Sequence, residues 1–223
     1  PACDGYGFVV RKRPTYTPTL DEYVARGRMP AAFRDALTEA ITNRVTTVVV
    51  GGTGTGKTTL LRSLICETAA QCPDDRIVLL EDTPELVCPA ENHLALRTTP
   101  ELSFAALLKA TLRASPTRII LGEVRDEAAL DFLDASATGH PGGFCTTHAE
   151  SALGALHRLD RLAQRANVPS QLPLVGEAIG LVVVLSGGNA NRRVADLVKV
   201  SGFTPGAGFS LHRCTERGQW IAV

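Results

Sequence analysis

The octapeptide GGTGTGKT, residues 51–58, fits the pattern G-x-x-x-x-G-K-[ST] and falls between a run of β-branched residues and a helical stretch. In that setting glycines let backbone N–H groups turn inward and cradle phosphate oxygens at a helix N-terminus, where the dipole favours negative charge. Gly51, Gly52, Thr53, Gly54, Thr55, Gly56 and Thr59 form the cradle, Lys57 reaches the β- and γ-phosphates, and the Thr58 hydroxyl suits Mg²⁺. A plain strand-to-helix turn is the competing reading, and the correctly placed Lys-Thr argues against it. The chemistry indicated is binding of a nucleoside triphosphate.

Hydrolysis also needs a carboxylate that orients or activates water. RIILGEVRD, residues 118–126, is an apolar strand that ends in Gly122-Glu123, so an acid emerges at the strand's C-terminal end, where ligands bind in open α/β sheets. Glu123 is the first candidate for general base or for a place near Mg²⁺. RIVLLEDTPEL ends a second strand with Glu81, Asp82 and Glu85. Those acids could position Mg²⁺ and water, or they could cap the Asp-Thr-Pro turn that follows.

TGHPGGFCTTHAES, residues 138–151, adds His140, Cys145, His148 and Glu150, a ligand set a zinc ion could accept. GFCTTHA reads as a strand, however, so Cys145 and His148 point to different faces, which counts against shared ligation. The alternative is that His148 reaches the phosphate site and senses its occupant, with His140 ordering a mobile Pro-Gly-Gly turn behind it.

Positioning these groups requires an α/β sheet. Residues 45–50, 76–81, 117–124, 143–149 and 180–186 read as short apolar strands, and the first lacks alternation, as a strand buried on both faces should. Helical patterns over 101–115, 126–138 and 150–166 lie between them. Alternation of strand and helix gives an α/β core with a mostly parallel sheet, and residues after about 192 read as an antiparallel β tail. Thr19 with Glu22 has capping-box spacing and Pro30 opens a second helix, so two short helices precede the first strand.

The whole chain bounds the reading. Its 223 residues suffice for one large domain, expected over 19–223, with residues 1–18 as a linker or the end of a preceding domain. Lys plus Arg and Asp plus Glu number 23 each, so bulk charge gives no reason to expect nucleic acid or an anionic membrane surface as partner. The longest apolar run, about residues 178–185, is far shorter than the roughly 18 residues of a membrane span. The N-terminus has neither an initiator Met nor an apolar signal segment, so a fragment of a longer chain is expected. Six cysteines show no CxxC pair, which points to reduced thiols in a cytoplasm.

Among P-loop classes, a GTPase is disfavoured because no N-K-x-D guanine reader is present. LSGGNA at 185–190 is like the signature loop of ABC transporter ATPases, but it follows Glu123 rather than preceding it. The sequences GGTGTGKTTLLRSLI, RIVLLEDTPEL, LLKATLRASPTRIILGEVRDEAALDFLDASATGHPGG and FCTTHAES resemble, in order, the Walker A, Asp, Walker B and His boxes of the type II/type IV secretion traffic ATPases. The lead-in is most similar to the conjugal-transfer branch of that family.

The resemblance implies a RecA-like P-loop NTPase core for that sheet and a homohexameric ring at the cytoplasmic face of the inner membrane. There ATP hydrolysis with Mg²⁺ would drive pilus assembly or substrate transfer alongside other proteins of the machine. It implies Lys57 and Thr58 on phosphate and metal, Glu123 as catalytic carboxylate and metal neighbour, and His148 near the γ-phosphate. Arg97, Arg113 and Arg125 fall where the family has arginines near the nucleotide or a neighbouring subunit. Two departures stand out: Pro116-Thr117 replaces the family's Pro-Asp, and Arg11-Lys12-Arg13 is the remnant of the linker from an N-terminal domain. A slow assembly scaffold and a DNA-translocating ATPase are the other readings compatible with a P-loop.

Overall fold

The computed structural model describes residues 16–188 and 191–223. Most of the lead-in, Arg11-Lys12-Arg13 included, and the end of LSGGNA lie outside the described residues. Two helices come first, α1 (Leu20–Ala25) and α2 (Ala31–Thr42). The Thr19 hydroxyl accepts the Glu22 N–H at 3.2 Å while Glu22 accepts the Thr19 N–H at 2.8 Å, so the expected capping box closes α1. The parallel core follows as β1 (Thr47–Val50), α3 (Lys57–Gln71), β2 (Ile77–Glu81), β3 (His93–Arg97), α4 (Phe104–Thr111), β4 (Arg118–Leu121), α5 (Ala128–Ala137), β5 (Phe144–Thr147), α6 (Ala152–Ala163), α7 (Leu172–Ala178) and β6 (Leu181–Ser186). The tail is β7 (Arg193–Thr204), β8 (Gly208–Cys214) and β9 (Trp220–Ala222).

One nine-stranded sheet runs β3-β2-β4-β5-β1-β6-β7-β8-β9. Pairings from β3 to β6 are parallel and those from β6 to β9 antiparallel, as the change of pattern near residue 192 predicts. Two elements were not expected. β3 pairs with β2 yet shows an exposed, alternating edge, and α7 contains Pro173 and Gly176.

Alternation along β1 explains the layers. Val48 and Val50 face a cluster built on α4, α5, α6 and α7, whereas Val49 faces one built on α1, α2 and α3. Both faces are therefore dry, and the central strands are uniformly apolar for that reason. Parallel strands also align their C-terminal ends along one rim of the sheet, and that rim carries the chemistry.

The opposite rim is closed by a buried charge. Arg118, at the start of β4, is fully buried and donates through Nε to Asp75 at 2.5 Å, with further bonds to the carbonyls of Gly142 and Ile41. Beside it the Thr117 hydroxyl accepts the Arg76 N–H at 3.0 Å. The neutral Thr117 thus serves a backbone donor, and Asp75 supplies the acid at this rim.

The Pro-Gly-Gly turn also lies at this rim, which corrects the expectation of a mobile hinge behind His148. Gly142 and Gly143 are buried, Gly142 N–H donates to the Thr46 hydroxyl, and Thr47 N–H donates to the Gly143 carbonyl. His140 meets the Pro116 carbonyl through Nδ1 at 2.9 Å, so it does order the turn, one strand length away from His148.

Candidate nucleotide site

The loop between β1 and α3 forms the floor of a cleft of about 440 Å³ on the C-terminal rim. Gly51 has φ +155 and leaves no room for a side chain, since a Cβ there would lie 2.6 Å from Thr55 Oγ1 and 2.7 Å from the Leu185 carbonyl. Gly56, the N-cap of α3, is left-handed at φ +99 and makes no side-chain cap. The first N–H groups of a 15-residue helix are thus turned toward the cleft without an intervening cap, the arrangement an anion requires. A Thr55 hydroxyl bond to the Gly52 carbonyl at 2.9 Å holds the loop's curve.

Lys57 lies almost wholly buried beneath this loop. Its Nζ donates to the carbonyls of Gly51 and Gly52, both at 3.0 Å, and approaches His148 Nδ1 at 3.3 Å. Burial lowers its pKa, with the Glu123 charge acting the other way. An ammonium has only donors, so His148 Nδ1 accepts and its Nε2 proton points to Glu123 Oε1 at 3.2 Å. Glu123 Oε2 accepts from Arg125 at 2.7 Å, and Arg125 also donates to Asp82 at 2.8 Å. A continuous chain Lys57–His148–Glu123–Arg125–Asp82 therefore crosses the cleft. Burial would raise the pKa of Glu123, but the Arg125 hydrogen bond and charge, with His148 and Lys57, outweigh it and hold the carboxyl below its ordinary range.

The strands place these groups. Glu123 follows β4, and Val124 N–H donates to the Thr146 carbonyl on β5, while the Thr146 hydroxyl donates to the Gly122 carbonyl at 2.7 Å. His148 sits between the end of β5 and Ser151, which caps α6 by accepting the Gly154 N–H. Two arginines reach over from the α6 side: Arg158 donates to the Thr147 hydroxyl and Arg165 to the Arg125 carbonyl.

Gly54, Gly56, Thr53, Lys57, Thr58, Thr59, Glu81, Asp82, Glu123, Arg125 and His148 all line the cleft. Within that set Glu81 is buried, with Oε1 accepting the N–H groups of Glu85 at 2.5 Å and Leu86 at 3.3 Å. Of its two expected uses, capping of the following turn is the one visible. Burial raises its pKa and those N–H groups oppose the rise.

Arg97 and Arg113 do not line the cleft. Arg97 ends the edge strand β3 on the cleft's rim, in register with Glu81, whose pKa its charge lowers, whereas Arg113 precedes β4 and so belongs to the opposite rim. Nor do the four candidate zinc ligands converge. Cys145 is buried in the α4–α7 cluster, His140 is on the far rim, and Glu150 is exposed. Sequence reasoning missed Arg192, which also lines the cleft. The one available signal was a basic pair opening the strand after β6.

The family model described as "Type II/IV secretion system protein" matches residues 1–187. The chain belongs to that family. Among curated relatives, "Conjugal transfer protein TrbB" of Rhizobium radiobacter is 43% identical over 91% of this chain and 63% of its own length. Among solved structures, the VirB11 ATPase of the Brucella suis type IV secretion system, in complex with sulphate, matches with a TM-score of 0.69 and 31% identity, over 82% of this chain and 56% of that one. The pilus retraction motor PilT with bound ADP matches with a TM-score of 0.63 and 25% identity, over 91% and 54%. The chain thus spans about three fifths of the curated relative's length. Among the described residues no helix is long and apolar enough to cross a membrane.

Proposed function

We propose that this chain is the ATPase domain of a conjugative or type IV secretion motor, residues 19–223 forming the domain and 1–18 its linker. The observation that carries the reading is the convergence of an uncapped glycine loop, Lys57, Glu123 and His148 in one cleft on the C-terminal rim. Sulphate and ADP, bound in the two solved relatives, are of the class such a loop would hold.

Phosphate oxygens would compete for Lys57 with the neutral carbonyls of Gly51 and Gly52, and the charge-assisted bond is the stronger. His148, between Lys57 and Glu123, would then be free to donate to the terminal phosphate and report its loss. Glu123 is ionised at neutral pH, so it can accept a proton from water held beside it. Arg125 keeps Glu123 oriented until substrate enters. The Thr58 hydroxyl and the Glu123 and Asp82 carboxylates are hard oxygen donors in one cleft, which fits Mg²⁺ bound jointly with substrate phosphates. When bound, Mg²⁺ would neutralise charge developing on those phosphates.

The ring is proposed as a homohexamer acting with other machine proteins at the cytoplasmic side of the inner membrane. Arg97 and Arg113, outside the cleft, are then candidates for contact with a neighbouring subunit. Phosphate release by the full chain tests the reading: ATP and Mg²⁺ should support turnover that Lys57→Ala reduces at least about 100-fold. Wild-type release no faster than that of the variant would remove the motor and leave a scaffold. Native mass with and without ATP and Mg²⁺ tests the ring.

A further inference from the structure

Three cations line the cleft among the described residues: Lys57, Arg125 and Arg192. Lys57 faces Glu123 and His148, and Arg125 is held between Glu123 and Asp82. Arg192 has no ion pair with any described residue, and its Nε is sealed from solvent without a hydrogen-bond partner among them. A buried guanidinium N–H that lacks an acceptor is destabilising, which favours a second position of the side chain in which an acceptor is met.

Sheet order says which part of a ligand that acceptor belongs to. Glu123 and His148 follow β4 and β5, on one flank of β1, whereas Arg192 follows β6, on the other flank. The stem of Arg192 lies over the last glycine of the loop, its Cδ 3.5 Å from where a Cβ on Gly56 would sit. In a P-loop the Lys serves the β- and γ-phosphates, and the helix N-terminal amides serve the α- and β-phosphates. The hydrolytic groups fix the γ end on the β4–β5 flank, so the β6 flank takes the remainder of the nucleotide.

We propose that Arg192 is a nucleotide-binding residue whose side chain turns toward the α-phosphate and ribose end of the ligand, where the oxygens give its guanidinium the acceptor that the buried Nε lacks. This rests on the nucleotide reading above. It makes Arg192 indifferent to the γ-phosphate, in contrast to His148. Its neighbour Arg193 is exposed and does not line the cleft, which makes it a matched control.

Equilibrium titration of the full chain with a fluorescent ADP and, separately, with ATP tests the assignment. Arg192→Ala should weaken both by the same factor, about 10-fold to 100-fold, as a charge-assisted hydrogen bond would. Arg192→Lys should recover part of the loss, Arg193→Ala should bind within about twofold of wild type, and Lys57→Ala should lose both ligands. Arg192→Ala binding ADP as tightly as wild type, while Lys57→Ala does not bind, would overturn the assignment and leave the nucleotide reading intact. A loss confined to ATP would place Arg192 at the γ end and overturn it as well. Wild-type protein that binds neither nucleotide would overturn both readings.

Discussion

Two arginine–carboxylate clusters stand at opposite rims of one sheet, and they differ in everything except residue type. Arg118 and Asp75 have 0% and 3% of their side chains exposed, and Arg118 also donates to Gly142 and Ile41 carbonyls and to Cys72 Sγ. It ties the start of β4 to the end of α2, the end of α3 and the turn before β5. Arg125 and Asp82 are 56% and 43% exposed, and Glu123 between Arg125 and His148 is 19% exposed. A saturated, dry pair has no cheap alternative partner, whereas a wet one can exchange partners with a ligand. The first arrangement suits architecture and the second suits chemistry.

That contrast can be broken by substitution. The largest effect expected is on stability at the dry rim. Arg118→Leu removes the buried partner of Asp75, leaves it only the half-exposed Arg44 at 2.8 Å, and frees the carbonyls of Gly142 and Ile41; it should cost about 3 kcal/mol in urea denaturation, with nucleotide affinity per folded molecule unchanged. A loss below about 1 kcal/mol would place both clusters in the same class. Next comes His148→Ala, which should slow phosphate release about 100-fold, roughly 2.7 kcal/mol in barrier, while ADP affinity and the melting temperature hold. A falling melting temperature would make His148 architectural.

Arg125→Ala is the smallest effect and the one that sharpens the comparison. Its exposed pairs contribute under about 1 kcal/mol after solvent screening. Arg125 helps hold Glu123 below the ordinary carboxylate value of 4.5, so this contribution is present above that pH and is lost as pH falls through the lower folded value. Melts of wild type and variant should therefore differ by a constant amount from about pH 8 to about pH 5 and converge in stronger acid.

How much of this was legible in the sequence follows from where each residue's partner lies. VTTVVV and GGTGTGKT carry their own signal, because a doubly buried strand and a phosphate loop are local patterns. Glu123 and His148 were legible for the same reason, each ending an apolar run at the same rim. β3 was not, since HLALR has no β-branched residue and owes its extended form to pairing with β2. α7 was hidden by Pro173 and Gly176, poor helix formers that tertiary packing overrides. The Pro-Gly-Gly turn read as a hinge because its composition is that of one, and only the buried bonds to Thr46 and Arg118 show it pinned. Arg192 depends on β6 lying beside β1, a fact of sheet order that no short motif encodes.

The central claim is that the wet cluster on the C-terminal rim performs hydrolysis. Glu123→Gln tests it most directly, since the amide keeps the shape and can still meet Arg125's neighbourhood, yet cannot take a proton from water. ATP binding and phosphate release should be measured on the same full-chain sample. The variant should bind ATP within a few-fold of wild type, melt as wild type does, and release phosphate at least about 100-fold more slowly. Release at the wild-type rate would contradict the account, and so would a slower rate accompanied by loss of the fold.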